Sequence, residues 1–248
     1  MPSLSPESQA AINNWWANEL GVNASELSVM QSGVQLSENA LLPGILAYRR
    51  GLDVRVSASL GKLEEIQEAL IGRTLSEIFS VQFWPDYLPQ FSGKVIGPAS
   101  LFYADKPSAN WATIKTQVSI SVRGLAVADA TAFADFSASL SELEREHSGL
   151  DFSPRAMWGA FSKKQLVAAA SYDVWPGRIA HIGVAVHPDF RARKIGQAVA
   201  MSAARGALAR RRIVQYRSLQ EQEASMGIAR KLGLELFAET IYVRPPEG

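Results

Sequence analysis

The spacing of apolar residues in the N-terminal half predicts a mixture of helices and strands. Helical spacing over Ser8–Leu20 and over Lys62–Ser80 indicates two helices. Strand-like stretches are predicted at Val29–Leu36 and Leu52–Ser59. Prolines and glycines interrupt the pattern from Phe83 to Pro107, so turns and one short apolar run are expected there.

The pattern is more regular in the second half of the chain. A strand is predicted at Val118–Val122, followed by a helix over Asp129–Glu146 with its apolar residues on one stripe. Met157–Phe161 and Leu166–Val174 are predicted to form a hairpin. A further strand follows at Ile179–Val186.

The last third predicts four more elements. They are an alanine-rich helix over Ile195–Arg210, a strand over Ile213–Leu219, a helix over Glu223–Leu232 and a final strand or strand pair over Leu234–Val243. The order of the predicted elements in the second half is β-α-β-β-β-α-β-α-β, which indicates an α/β fold.

Length and composition allow a sizeable core. A chain of 248 residues can form one large domain or two modest ones. Its 47% hydrophobic and 20% charged residues are typical of a globular protein and exclude a disordered chain. No repeat or low-complexity linker marks a domain boundary, so the boundary is placed where the hydrophobic pattern becomes more regular. We expect an N-terminal α/β region at 1–117 and a second domain at 118–248.

Rare and missing residue types exclude several kinds of site. The chain has no cysteine, which excludes disulfides, thiolate metal sites and a cysteine nucleophile. His147, His181 and His187 are too scattered to indicate a metal cluster, so no metal is predicted. Because there is neither a leader pattern nor an apolar run of about 18 residues, we expect a cytoplasmic protein with no membrane partner.

Positive charge is concentrated between positions 178 and 217, where nine basic residues stand against one acid, Asp189. Within this stretch a strand stops at Pro188, a short basic loop follows, and the loop enters a helix whose first turn contains Gly196. Free N–H groups at a helix N-terminus attract anions, and Arg191 and Arg193 flank this one. The segment therefore predicts a diphosphate site.

This segment resembles the acyl-CoA signature of the GCN5-related N-acetyltransferases (GNAT family), Arg/Gln-x-x-Gly-x-Gly/Ala, which reads here Arg191-Ala-Arg-Lys194-Ile-Gly196. Two further family motifs, Asn-x-x-Ser and Leu-Gly-Phe, are similar to Gln222-Glu-Ala-Ser225 and Leu232-Gly-Leu234. The order of elements in the second half is also similar to that of the family. The extra N-terminal region resembles that of a bacterial subgroup.

Three residues depart from the family pattern. Lys194 stands where the signature has its first glycine, and a side chain there costs on the order of 1 kcal/mol if the backbone has a positive φ. Gln222 replaces the usual asparagine and keeps a side-chain amide. Ala229 occupies the position of a tyrosine that often serves the family as general acid, so the usual proton donor is missing.

The resemblance implies a mixed, mostly antiparallel sheet flanked by helices in 118–248, with acetyl-CoA as acyl donor. It also implies that the strand at Ile179–Val186 splays from the strand at Ile213–Leu219, with the pantetheine arm between them. The residues expected to bind acyl-CoA on this basis are Val184, Ala185, Val186, Arg191, Ala192, Arg193, Lys194, Ile195, Gly196, Gln197, Gln222 and Ser225.

The candidates for proton transfer are one histidine and two tyrosines on strands near the expected thioester. His181 is the candidate base, since an imidazole has a reference pKa of about 6.5. The alternative is that His181 is a packed, hydrogen-bonded residue of the core. Tyr216 and Tyr172 are the candidate proton donors.

The resulting hypothesis is an N-acetyltransferase that moves a short acyl group from acetyl-CoA to a primary amine by direct attack. The alternative is a non-catalytic acyl-CoA-binding sensor or interaction module, which Ala229 permits. Arg210–Arg212 is interpreted as complementing a helix dipole, so no nucleic-acid partner is expected. A homodimer is left open. So is the role of 1–117, either a degenerate copy of the same fold or a region that shapes the acceptor pocket.

Overall fold

The computed structural model describes residues 4–29, 31–113 and 115–246, which form two compact units. The C-terminal unit consists mainly of Phe102–Arg217 and Glu223–Glu235. The N-terminal unit consists mainly of Ser5–Leu101, together with Ser218–Gln222 and the last strand of the chain. The units are therefore not two consecutive halves of the sequence. The functional division into 1–117 and 118–248 stays a prediction.

Helices and strands are spread along the whole chain. In chain order the elements are α1 (Pro6–Leu20), α2 (Ala24–Ser28), β1 (Gly33–Glu38), β2 (Ile45–Arg50), β3 (Asp53–Ala58), α3 (Leu63–Leu70), α4 (Leu75–Ile78), α5 (Phe83–Tyr87), β4 (Lys94–Ala104), β5 (Ser121–Gly124), α6 (Ala130–Ala138), α7 (Glu142–Ser148), β6 (Met157–Ser162), β7 (Gln165–Trp175), β8 (Ile179–Val186), α8 (Ile195–Ala209), β9 (Ile213–Leu219), α9 (Glu223–Leu232) and β10 (Glu235–Arg244).

The N-terminal unit is built on a mixed sheet with the strand order β1-β3-β2-β10-β4. β1 runs parallel to β3, whereas β2 is antiparallel to both β3 and β10. One face of this sheet packs on α3, α4 and α5 through a core that includes Val54, Ile66, Ile78 and Trp84. Burial of this apolar surface is the main stabilisation of the unit.

The C-terminal unit contains a second run of strands in the order β9-β8-β7-β6-β5. All neighbours are antiparallel except β8 and β9, which are parallel. One face packs on α8 and α9 through residues such as Val199, Ala203 and Ala229. The other face packs on α6 and α7, with Phe133 and Phe136 in its core. The expected mixed, mostly antiparallel sheet flanked by helices is confirmed.

Most predicted elements of the second half are confirmed to within a few residues, but two differ. The strand predicted at Val118–Val122 lies at Ser121–Gly124, where it pairs with β6. The single helix predicted over Asp129–Glu146 is two helices, because the Ser141 side chain accepts from the N–H of Glu144 and caps α7. Within the described residues, no helix is long and apolar enough to cross a bilayer.

The N-terminal half was harder to predict. The helix over Lys62–Ser80 is divided into α3 and α4 near Gly72, whose φ is 73°. The pattern misses β2, and the expectation of turns over Phe83–Pro107 is wrong where β4 forms. Pro98 lies inside β4, and its carbonyl still accepts from the N–H of Gln220 at 2.9 Å. A proline in a strand has no N–H to donate, but its carbonyl oxygen can still accept a hydrogen bond.

An ion pair fixes the chain where β5 leads into α6. The Arg123 guanidinium donates to both carboxylate oxygens of Asp129, each at 2.7 Å, and the N–H of Ala126 donates to the same carboxylate at 2.7 Å. These hydrogen bonds lower the pKa of Asp129 to about 2. The carboxylate is therefore more acidic in the folded chain than in the unfolded one.

We expect Asp129→Asn to lower the melting temperature at pH 7, and this loss to shrink as the pH falls. The folded pKa of about 2 lies below the unfolded value near 3.9. The stabilisation is thus complete above about pH 4 and disappears as the pH falls through about 2. Thermal unfolding across pH 2–7 measures this, with Asp135→Asn at an exposed position of α6 as control. Equal losses at both ends of the range would contradict it.

Candidate functional site

Strands β8 and β9 pair briefly and then separate. Their parallel ladder ends at His181 and Gln215, although both strands continue. Beyond this point β8 stays paired with β7 along its other edge as far as Val186. The β9-facing edge of β8 therefore offers backbone N–H and C=O groups that lie outside this ladder. An extended ligand can pair with such an edge as an added strand would.

The N-terminus of α8 follows β8 after a short loop. The helix begins after Lys194, whose φ of 63° is left-handed and whose side chain makes no capping hydrogen bond. The first helical bond runs from the N–H of Ala198 to the carbonyl of Lys194 at 3.3 Å. In the described part of the chain, no group accepts from the N–H groups of Ile195, Gly196 and Gln197. Together with the helix dipole, these three donors can bind an anion.

Gly196 brings the first turn of α8 close to β8. A Cβ at this position would lie 3.2 Å from the Val186 Cγ2 atom and 3.2 Å from the Ile228 Cδ1 atom. The first turn of the helix is therefore packed between the end of β8 and α9. A larger residue at 196 would fill the space next to the free N–H groups.

The basic loop before α8 is held by a carboxylate from another helix. The Arg191 guanidinium lies 2.5 Å from the Glu144 carboxylate of α7, and its Nε donates to the Val186 carbonyl at 3.2 Å. The Arg193 guanidinium lies 5.3 Å from the centre of the Phe190 ring. Asp189 is the acidic residue next to this loop in the sequence, so the sequence does not indicate that Arg191 pairs with Glu144 instead.

Gly183 allows α7 to approach β8 closely. A Cβ at Gly183 would lie 2.1 Å from the carbonyl oxygen of Ser148, at the end of α7. Any side chain there would force α7 away from the strand. Gly183 therefore positions the helix that carries Glu144, and neither residue is among the candidates expected from the sequence.

His181 lies at the last position of β8 that pairs with β9, and its side chain is partly buried. Its Nδ1 is 2.8 Å from the amide oxygen of Gln215, and its ring stacks on Trp175 with 4.5 Å between ring centres. Burial lowers the pKa of the imidazole below its ordinary value. His181 is therefore a neutral imidazole at neutral pH, and such a ring can accept a proton.

Tyr216 and Tyr172 lie on the opposite face of the sheet from His181. Side chains alternate along a strand, and both tyrosines belong to the core under α8 and α9. The Tyr216 hydroxyl is 3.0 Å from the Ser225 hydroxyl, and burial raises the pKa of Tyr216 to about 12. The Tyr172 ring is buried against Trp158, with 6.0 Å between ring centres.

The remaining predicted residues fall into two groups. Val184, Ala185 and Val186 form the end of β8 beyond its ladder with β9, and the loop and the start of α8 follow them in the chain. Gln222 is exposed in a turn after β9, and its N–H donates to the Leu219 carbonyl at 3.1 Å. Within the described residues, no group of three or more His, Asp or Glu side chains is placed to hold a metal ion.

Part of the chain matches a known protein family. Residues 125–234 match the model of the acetyltransferase (GNAT) family. A solved structure of a GCN5-related N-acetyltransferase from Kribbella flavida is similar over 99% of this chain and 98% of that chain, with 13% identity and a TM-score of 0.51. The similarity to the Kribbella protein shows a shared fold.

Two other solved structures are more distantly similar. An acetyltransferase of the GNAT family from Colwellia psychrerythraea is matched over 78% of this chain and 76% of that chain, with 13% identity and a TM-score of 0.48. PaiA N-acetyltransferase from Thermoplasma acidophilum, in complex with coenzyme A, is matched over 51% of this chain and 99% of that chain, with 15% identity and a TM-score of 0.38. No curated protein matches the chain.

We expect Lys194→Gly to raise the melting temperature of the protein. Glycine adopts a φ of 63° without the steric cost of a Cβ atom, and the gain is about 0.5–1 kcal/mol. Thermal unfolding followed by circular dichroism measures this. Lys164→Gly makes the same change at an exposed lysine whose φ is not positive, so it should bring no gain. A lower melting temperature for Lys194→Gly would contradict the strain.

Proposed function

Residues 125–234 form an acetyltransferase domain of the GNAT family, and we propose that the chain transfers an acetyl or other short acyl group from acyl-CoA to a primary amine. The observation that carries this proposal is the gap that opens between β8 and β9 next to the uncapped N-terminus of α8. The gap suits an extended, amide-containing arm, and the helix end suits a diphosphate.

The residues around the gap fit acyl-CoA. Val184 and the N–H of Val186 would pair with the amides of the pantetheine arm through the open edge of β8, with Ala185 between them. The N–H groups of Ile195–Gln197 would donate to the diphosphate. Ala192 and Gly196 keep the backbone accessible there, since neither carries a large side chain.

The basic side chains of the loop have different proposed roles. Arg193 and Lys194 are exposed and would add charge next to the diphosphate. Arg191 is already held by Glu144 and by the Val186 carbonyl. We assign it mainly to fixing the loop, with its charge shared between Glu144 and a bound phosphate.

The candidate base His181 and the candidate proton donor Tyr216 lie on opposite faces of the sheet. Bound acyl-CoA supplies a thioester carbonyl; the amine nitrogen forms a bond to its carbon, the C–S bond breaks, and the thiol leaves. His181 would take the proton of the attacking amine on one face. An N–H of the open β8 edge would donate to the carbonyl oxygen.

Tyr216 would act on the other face. Because its pKa is raised to about 12, the hydroxyl stays protonated at neutral pH and can donate to the leaving sulfur. Ser225 would orient this hydroxyl from α9, the helix whose Ala229 stands where the family often has a tyrosine. Tyr172 and Gln222 stay predictions, because no contact among the described residues gives them a role in these steps.

Amine-dependent release of free thiol is the test of this function. We expect the protein, incubated with acetyl-CoA and a panel of primary amines, to release thiol at a rate that depends on at least one amine. We also expect His181→Gln to lower kcat roughly 100-fold or more, because a general base contributes about that factor. His147→Gln, on the exposed side of α7, is the matched control and should keep the wild-type rate.

The pH dependence sharpens the test. Burial lowers the pKa of His181 below the ordinary value of 6.5. The turnover rate of the wild type should therefore rise with pH and become constant once the pH exceeds this lowered pKa. Tight acyl-CoA binding without turnover across the whole panel would contradict the enzyme and favour the sensor module.

We expect Gly196→Glu to abolish binding of coenzyme A. The substitution places a side chain and a negative charge next to the free N–H groups of α8. Isothermal titration calorimetry measures the affinity. Gly124→Glu makes the same change in open space on β5 and should leave the affinity unchanged. Unchanged affinity in Gly196→Glu, with a normal thermal melt, would refute the placement of the diphosphate.

A further inference from the structure

His181 stands at one end of a hydrogen-bond chain that runs through Gln215 of β9 to Tyr103, at the end of β4 that belongs to the C-terminal unit. The amide oxygen of Gln215 lies 2.8 Å from His181 Nδ1, and the amide nitrogen of Gln215 donates to the Tyr103 hydroxyl. Gln215 is 1% exposed and Tyr103 is fully buried. The buried amide thus has a hydrogen-bond partner at each end, which it needs because an unpaired buried amide group costs stability.

The direction of this chain decides which imidazole nitrogen carries the proton. An amide oxygen only accepts, so His181 Nδ1 must donate to it. A neutral imidazole that is protonated at Nδ1 has its lone pair on Nε2. Among the described residues no group is hydrogen-bonded to Nε2, and the stacked Trp175 ring holds the plane of the imidazole.

We propose that Gln215 is a positioning residue that holds His181 in the Nδ1–H tautomer and so presents Nε2 as the proton acceptor. Tyr103 supports this orientation by accepting from the amide nitrogen of Gln215. The proposal deepens the proposed function, because it rests on His181 being the base. The tautomer is a property of the unliganded protein and can be measured without turnover.

The neutral amide also suits a base that must stay uncharged. A carboxylate at position 215 would stabilise the imidazolium and raise the pKa of His181. The charged groups that act on the ring are Asp173 of β7, which raises its pKa, and Arg217 of β9, which lowers it. The hydrogen bond to Gln215 also raises this pKa, but burial is the largest effect and keeps the pKa below its ordinary value. Gln215 therefore orients the imidazole without keeping it protonated.

Nuclear magnetic resonance of protein labelled with ¹⁵N-histidine tests the tautomer directly. The chain has three histidines, so the His181→Gln spectrum identifies the His181 signals by difference. Above the pKa of His181 we expect a protonated Nδ1 and an unprotonated Nε2. A proton on Nε2 with a free Nδ1 would overturn the proposal.

Two substitutions test the positioning. Gln215→Glu should raise the pKa of His181 by about one unit or more, and the acid limb of amine-dependent turnover should move up by the same amount. Gln165→Glu, at the exposed start of β7, should move neither. Tyr103→Phe keeps the ring but frees the amide, so signals of the second tautomer should appear. It also provides a test if Gln215→Glu does not fold. An unchanged His181 pKa in folded Gln215→Glu, or a single unchanged tautomer in Tyr103→Phe, counts against the proposal.

The outcomes separate this proposal from the proposed function. Amine-dependent turnover together with an Nε2–H tautomer would overturn the positioning role and leave the transferase standing. An Nδ1–H tautomer in a protein that turns over no amine would overturn the role of His181 as a base, while the hydrogen-bond chain itself would stand.

Discussion

The separation of β8 from β9 after His181 and Gln215 is the constraint on which the proposed site depends. Strand edges inside a sheet normally satisfy their N–H and C=O groups through a neighbouring strand, and the end of this ladder leaves one edge of β8 without that neighbour. The strands cannot simply close, because β8 is fixed by β7 on its other edge and α8 and α9 pack across one face. Such an open strand edge is suited to a ligand that supplies the missing hydrogen bonds.

The loop after β8 turns this gap into a site for a charged ligand. Lys194 adopts a left-handed backbone, which costs stability but starts α8 with its first N–H groups free. Gly183 lets α7 reach β8, and α7 brings the Glu144 carboxylate that holds Arg191. The position of the loop thus depends on a helix that lies far from it in sequence. The left-handed backbone at Lys194 and the ion pair between Arg191 and Glu144 together position the N-terminus of α8.

What could be predicted from the sequence was mainly local. Period-two and helical spacing located β6 to β10, α8 and α9, and the proline and glycine positions located the loop before α8. The break between α6 and α7 depends on a cap at Ser141, which the apolar stripe across both helices concealed. β2 and β4 were missed because glycines, prolines or an unbroken apolar run hid their alternation.

The unpredicted parts of the site are contacts between residues far apart in the chain. Gln215 lies 34 positions from His181, and Glu144 lies 47 positions from Arg191, so no spacing rule joins either pair. The opposite placement of His181 and Tyr216 follows from a strand register that only the folded sheet reveals. The sequence could therefore indicate the candidate groups but not their partners or their faces.

A crystal structure of the protein with coenzyme A bound tests the central claim most directly. We expect diphosphate oxygens to accept from the N–H groups of Ile195–Gln197, and the pantetheine amides to pair with the open edge of β8 at Val184–Val186, beside β9. Coenzyme A bound at another place, or a β8–β9 ladder that closes over Val184–Val186 in the complex, would contradict it.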